Sequence, residues 1–205
     1  FLAVADDVST KYTQRDRSTG DIVRYIKAAA EGRPGNYLVF FPSYKYMNSV
    51  YEQFSSLYPE IEVIIQQPFM KESEKEQFLQ YFVQTSGKML IGFAVMGGMF
   101  SEGIDLAGDR LLGVIVVGVG LPQVCFERDI IMEYFSKKNS RGFEYAYMYP
   151  GMNKVLQASG RVIRSEDDKG IVLLIDERFS SKKYTDLFPE EWERSEEHTS
   201  ELQSH

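Results

Sequence analysis

A chain of 205 residues with 43% hydrophobic side chains carries enough apolar material for one domain of ordinary size. Its 23 basic and 30 acidic side chains leave a net charge of −7, which excludes a broadly cationic coat; nucleic acid, if bound, must follow a local track. The single cysteine, Cys125, excludes an internal disulfide and a four-cysteine cluster, and no apolar run is long enough to span a bilayer, so a reduced, cytoplasmic setting is the default expectation.

In chain order, residues 1–19 show no clear period, and Thr10 to Ser18 are polar. Asp21 to Glu31 reads as a helix, with Ile22, Tyr25 and Ile26 on one face and Gly32 and Pro34 ending it. Asn36 to Phe41 is a short continuous apolar run of the kind found in a strand buried on both faces, broken by Pro42 and Ser43. A helix follows from Tyr44 to Leu57, then a strand at Glu62 to Ile65 and an amphipathic helix at Ser73 to Gln84. Lys88 to Val95 and Leu111 to Val117 read as strands flanking a glycine-rich loop, and Cys125 to Lys138 as a helix closed by a basic, polar turn at Lys137 to Gly142. A helix over Asn153 to Arg164, a strand over Gly170 to Asp176 and a short terminal element at Asp186 to Trp192 complete the pattern. Alternating helices and uniformly apolar strands predict an α/β fold with a parallel sheet covered on both faces. Ligands on such sheets bind beyond the carboxyl ends of the strands. Pro42 to Tyr44, Gly98 to Asp105 and Gly118 to Pro122 are expected at that edge.

Three stretches carry possible chemistry. Ser43, Tyr44, Lys45 and Tyr46 place a hydroxyl, two aromatics and a cation at a strand-to-helix turn. Ser43 can cap the helix, or the turn can meet a phosphate while a tyrosine stacks on a base. Gly97 and Gly98 permit close backbone approach, and Ser101, Glu102 and Asp105 put polar groups into a loop otherwise built of Met, Phe and Ile. A carboxylate there accepts from a ribose hydroxyl or an arginine, or else caps a helix. On one continuous helix Gln157, Arg161 and Arg164 share a face, with Gly160 allowing close approach, and two guanidiniums beside an amide suit polyphosphate. The alternative is a solvated helix face. No Walker A loop and no acidic Walker B strand end is present.

The ordered motifs Phe-Phe-Pro-Ser-Tyr44, Ser-Glu-Gly-Ile-Asp105 and Gln157-x-x-Gly-Arg-x-x-Arg164, then an apolar strand ending Ile-Asp-Glu-Arg-Phe179, resemble the C-terminal helicase domain of the XPD/Rad3/DinG superfamily 2 DNA helicases, with bacterial DinG-like members closest. The resemblance covers about Val8 to Trp192. It implies a second RecA-like motor domain. Ser43 and Tyr44, with Tyr46, Gly98 and Ser101, would then face single-stranded DNA. Glu102, Gly103 and Asp105 would link that track to ATP. Gln157, Gly160, Arg161 and Arg164 would reach ATP phosphates across a cleft. Tyr12 and Arg15 resemble the family's Tyr-x-x-Arg stretch and join the DNA-binding set.

On this reading residues 1–193 form a fragment that starts at Phe1 rather than Met. The partners would be single-stranded DNA and a first RecA-like domain in cis, which would hold the Walker motifs, the Mg2+ ligands and any iron–sulfur cluster. The fragment alone is expected to be inactive. The alternative is a non-catalytic nucleotide- or nucleic-acid-binding α/β module. Residues 194–205 lack an apolar period and resemble a translated sequencing adapter, which predicts a disordered, non-native tail. Both histidines, His198 and His205, lie there. Without the tail, 22 basic and 27 acidic side chains give −5, and histidine-based catalysis or zinc ligation has no residue to use.

Overall fold

Apolar runs without polar alternation satisfy their backbone groups only inside a sheet whose two faces are both covered. The computed structural model, which describes residues 1–84, 89–98, 100, 110–162 and 170–193, has this arrangement. Among the described residues six strands pair in parallel: β1 (Leu2–Ala5), β2 (Asn36–Phe41), β3 (Glu62–Ile65), β4 (Leu90–Val95), β5 (Gly113–Val117) and β6 (Ile171–Ile175). Their order across the sheet is β1-β6-β5-β2-β4-β3. The architecture is the α/β one expected.

Alternate strand residues feed two separate cores. Tyr37, Val39, Phe41, Ile91, Phe93, Ile115 and Val117 face helices α1 (Arg15–Gly32) and α2 (Tyr44–Leu57), which contribute Ile22, Ile26, Met47, Val50 and Phe54. Leu38, Phe40, Leu90, Ala94, Val114 and Val116 face the other way. There they meet Phe78 and Phe82 of α3 (Glu72–Gln84) and, beyond the exposed helix α4 (Phe126–Asn139), Met152 and Val155 of α5 (Tyr149–Ser159). Two short helices, α6 (Lys182–Thr185) and α7 (Glu190–Glu193), close that face with Tyr184 and Trp192. Gly92 is required where it stands: a Cβ there would lie 2.6 Å from the Phe82 ring.

Three of the differences from the sequence reading have a physical cause in the structure. Helix α1 starts at Arg15 rather than Asp21, because the polar Ser18 and Thr19 turn their hydroxyls back onto the Arg15 carbonyl at 3.1 and 2.9 Å and become buried. Strand β1 emerges from a stretch too short to show a period; its pairing with β6, Leu2 opposite Val172, defines it. The helix before the arginine motif starts earlier and ends sooner than Asn153 to Arg164. A π-helical turn, Glu144–Met148, leads into α5, and the Tyr149 N–H reaches back to the Glu144 carbonyl. That wider turn takes up Pro150, which cannot donate a helical hydrogen bond. Of the earlier expectations, residues 85–88, Ser101, Glu102, Gly103, Asp105, Arg164 and the tail 194–205 lie outside the described residues.

The α1/α2 core is centred on Phe93, which stacks on Phe41 at 5.5 Å between centroids and meets Phe54 at 6.0 Å and Tyr51 at 5.9 Å. Phe93→Ala is expected to lower the unfolding free energy by about 3–5 kcal/mol in urea denaturation, through lost burial and an unfilled cavity.

Candidate nucleic-acid interface

Strands β2 and β5 are neighbours, but the helix after β2 covers one face and the helices after β5 lead to the other. Connections that part in this way leave a crevice at the carboxyl edge, the usual ligand position of an open parallel sheet. A cavity of about 640 Å³ occupies this place. Its walls are Pro42, Ser43, Lys45, Tyr46 and Ser49 after β2; Gly118 to Val124 after β5; Thr10 to Asp16, apart from Thr13 and Gln14, after β1; and Arg178 after β6. Gly118 and Gly120 have φ of +83° and +63°, and a Cβ on Gly120 would sit 2.8 Å from the Gly151 carbonyl oxygen. Glycine is therefore needed where this loop passes over the start of α5.

Arg15 dominates the cavity floor. Its guanidinium lies 5.5 Å from the Tyr12 ring centroid and 5.0 Å from that of Tyr46, so two aromatic faces hold it in place. Its Nε donates to the Thr10 carbonyl at 3.2 Å. Partial burial lowers its pKa from the ordinary value, yet an arginine stays charged at neutral pH. Tyr46 is only 3% exposed, and its hydroxyl lies 2.6 Å from Ser18 Oγ; burial pushes its pKa up to about 12. Tyr46 thus supports Arg15 and forms cavity wall, and offers no open face for a base. Tyr12, 76% exposed, does offer one. Ser43 caps α2, accepting from the Tyr46 N–H at 3.4 Å, so the capping alternative holds while the same residue lines the cavity.

Tyr44 turns away from this cavity. Gln66 Nε2 donates to its hydroxyl at 2.9 Å, and Gln66 Oε1 accepts from the Val95 N–H at 2.8 Å. Gly98 lies beside the same glutamine, which would be 3.4 Å from a Cβ placed there. Tyr44 and Gly98 therefore share a second patch on this edge, tied together by Gln66.

The arginine motif is placed differently from the sequence reading. Helix α5 ends at Ser159, so Gln157 and Arg161 are not on one unbroken helical face. Arg161 and Val162 lie on a tighter turn, with N–H groups donating to Ala158 and Ser159 carbonyls at 3.2 Å each. Gly160 is exposed, and among the described residues a Cβ there would meet only carbonyls of its own helix, 3.3 Å away at the nearest. The helix starts at the carboxyl edge, where Gly151 meets Gly120, and runs to the amino edge, where Val162 packs on Gly170 just before β6. Gln157 and Arg161 thus lie toward the edge of the sheet opposite the Arg15 cavity. Midway, the Lys154 side chain lies over Gly97, 3.0 Å from where a Cβ would be. Burial, aided by Arg128, pulls the Lys154 pKa down. Among the described residues no group of three or more His, Cys, Asp or Glu side chains could hold a metal ion. Among them, too, no helix is long and apolar enough to cross a membrane.

The family of the helicase C-terminal domain matches residues 26–195. The chain belongs to that family. Within this family it is 32% identical over 165 residues to a regulator of telomere elongation helicase 1 homologue of Anopheles gambiae, covering 73% of this chain and 16% of that protein. It is 31% identical over 177 residues to the ATP-dependent DNA helicase DinG of Photobacterium profundum, covering 83% of the chain and 24% of the relative. A solved XPD helicase superposes with a TM-score of 0.73 at 25% identity, over 90% of this chain and 33% of that one. The RNA-bound second domain of the DEAD-box helicase Mss116p, at 13% identity and a TM-score of 0.51, shares the fold alone. The chain spans between a sixth and a quarter of the length of these curated relatives.

In this helicase C-terminal domain the sequence reading passed over one cavity residue of consequence. Arg178 was visible only as part of the Ile-Asp-Glu-Arg strand end. Asp176, fully buried, accepts from Arg178 Nε at 2.6 Å, Arg178 Nη2 at 2.8 Å, the Arg178 N–H at 2.9 Å and the Thr10 N–H at 3.2 Å, and also from the Thr10 hydroxyl. An acid closing an apolar strand, with an arginine two residues on, is the signal that could have marked this clamp. Burial by itself would push the Asp176 pKa up, but the hydrogen bonds from Arg178 and Thr10 outweigh it and hold the carboxyl below its usual value. A depressed carboxylate stabilises the fold above its unfolded pKa, and that contribution is lost as pH falls through the folded value. Asp176→Asn is expected to cost about 3 kcal/mol at pH 7 by urea denaturation. The variant should also lose less stability than the parent chain between pH 5 and pH 3.

Proposed function

We propose that this chain is the second RecA-like motor domain of an ATP-dependent DNA helicase, working with a first motor domain elsewhere in the same protein. The observation that carries the reading is the cavity at the β2–β5 crevice. There Arg15 is clamped between Tyr12 and Tyr46, with Lys45 and Asp16 also lining the cavity and Lys11 and Arg178 paired with Glu177 and Asp176, on a chain whose net charge is −7. A fixed guanidinium beside an exposed aromatic suits a phosphate followed by a base, the repeating unit of single-stranded DNA. The helix N-terminus capped by Ser43 adds partial positive charge at the same place. A cytoplasmic protein would meet such a strand.

ATP would be met at a separate place, across the cleft to the first domain, by Arg161 and Arg164 with Gln157 and Gly160. Those guanidiniums would stabilise charge developing on the transferred phosphoryl group. Glu102, Gly103 and Asp105 would connect this end to the DNA side, where Ser101 and Gly98 adjoin the track. Magnesium and its lysine partner would belong to the first domain, so the 205-residue chain alone should not hydrolyse ATP.

In the longer protein, Arg164→Ala is expected to lower kcat for ATP at least 100-fold while single-stranded DNA affinity stays within about twofold. Loss of DNA binding with normal hydrolysis would refute the assignment. In the 205-residue chain, Arg15→Ala should weaken binding to a single-stranded oligonucleotide and reduce the slope of log affinity against log salt by about one. An unchanged slope would remove Arg15 from the track.

A further inference from the structure

Helix α4 buries none of its side chains. Three of its apolar residues nevertheless fall in a row: Phe126, Ile130 and Tyr134 recur at intervals of four and are 76%, 51% and 56% exposed. The row begins at the cavity. Val124, 78% exposed, forms part of the cavity wall, and Phe126 opens the helix two residues later. From Phe126 to Tyr134 the strip is about 12 Å long, by the helical rise. At its far end Lys138 lies 5.5 Å over the Tyr134 ring. Two acids border this side of the helix, Glu133, which is paired with Lys137 at 2.5 Å, and the exposed Glu127 beside Phe126.

A cationic cavity that continues into an apolar, partly aromatic strip ending at a lysine calls for one kind of ligand. It must carry fixed negative charges and flat apolar faces at short repeats along one chain. We propose that Val124, Phe126, Ile130 and Tyr134 form a stacking platform for the bases of the single strand whose phosphates enter the Arg15 cavity. The proposal rests on the DNA-binding reading of that cavity and extends it to a surface that the family motifs do not include. Phosphates would be held by Arg15 and Lys45, while the next one or two bases lie on the α4 strip. Stacking tolerates any base, so the platform adds affinity without sequence preference.

The test compares two 12-mers of equal phosphate charge, oligo-dT and its abasic counterpart, by fluorescence anisotropy with the 205-residue chain. Wild type should bind oligo-dT several-fold more tightly than the abasic strand. Phe126→Ala should weaken oligo-dT binding about tenfold, in keeping with the loss of one stacked base, and leave abasic binding unchanged within twofold. Phe126→Trp should restore it. Because Phe126 is mostly exposed, its loss leaves the core intact, and an unchanged urea midpoint checks this. Equal weakening of both strands, or of neither, would overturn the platform while leaving the cavity reading in place. Unchanged affinity together with an altered oligomeric state would assign the strip to a protein contact instead. If wild type binds neither strand, the DNA-contacting reading falls and the platform with it.

Discussion

The strands of this sheet all run the same way, so each must be reached by a connection that crosses from one edge of the sheet to the other. That constraint fixes nearly everything else. Both faces must be covered, which is why alternate residues of β2, β4 and β5 enter two different cores. It also obliges neighbouring strands β2 and β5 to send their chains to opposite faces, leaving a crevice with no backbone to fill it. The candidate binding residues gather there because the topology leaves room, and because helix α2 begins there and brings the partial positive charge of its N-terminus.

Polar groups brought to such a place must be satisfied or remain wet. Asp176 is the extreme case, a carboxylate without solvent contact, acceptable only because Arg178 and Thr10 surround it with donors. The same bonds tie the segment after β1 to the segment after β6, and so fix two walls of the cavity relative to each other. Arg15 is held differently, by two ring faces and one carbonyl. Among the described residues Nε is the donor given an acceptor, and the charged, oriented group lines the cavity. One clamp is buried and structural; the other opens on the cavity, as a binding group has to.

Of the described motif residues, Tyr12, Arg15 and Ser43 lie at one edge of the sheet and Gln157 and Arg161 toward the other, and α5 runs between the two. Its start packs against the Gly118–Gly120 turn, its middle carries Lys154 over Gly97, and its end presents Arg161. On the proposed helicase reading, a shift at the DNA side would be felt at the phosphate side through this one helix. A packed helix moves as a body rather than bending residue by residue.

Much was legible in the sequence because its signals were local. The apolar run Asn36 to Phe41 and the Tyr44 to Leu57 helix after Pro42-Ser43 specify themselves, since strand propensity, a chain break and an N-cap all act within a few residues. The helicase resemblance likewise rested on short motifs, each within a few neighbouring residues, and on their order along the chain. Other features required partners far away. Four residues at Leu2–Ala5 are a strand only because β6 accepts them. Ser18 and Thr19 are helical and buried only because α1 packs against α2 and hydrogen bonds locally. The Asp176–Arg178–Thr10 clamp joins positions more than 160 residues apart, and the choice of Tyr46 as support and Tyr12 as open face follows from which ring the α1/α2 core encloses. Sequence determined which segments could fold and which chemical groups were available. Tertiary structure alone decided which of those groups are used up inside the protein and which still face outward, because burial and hydrogen-bond saturation belong to the packed chain and to no single stretch of it.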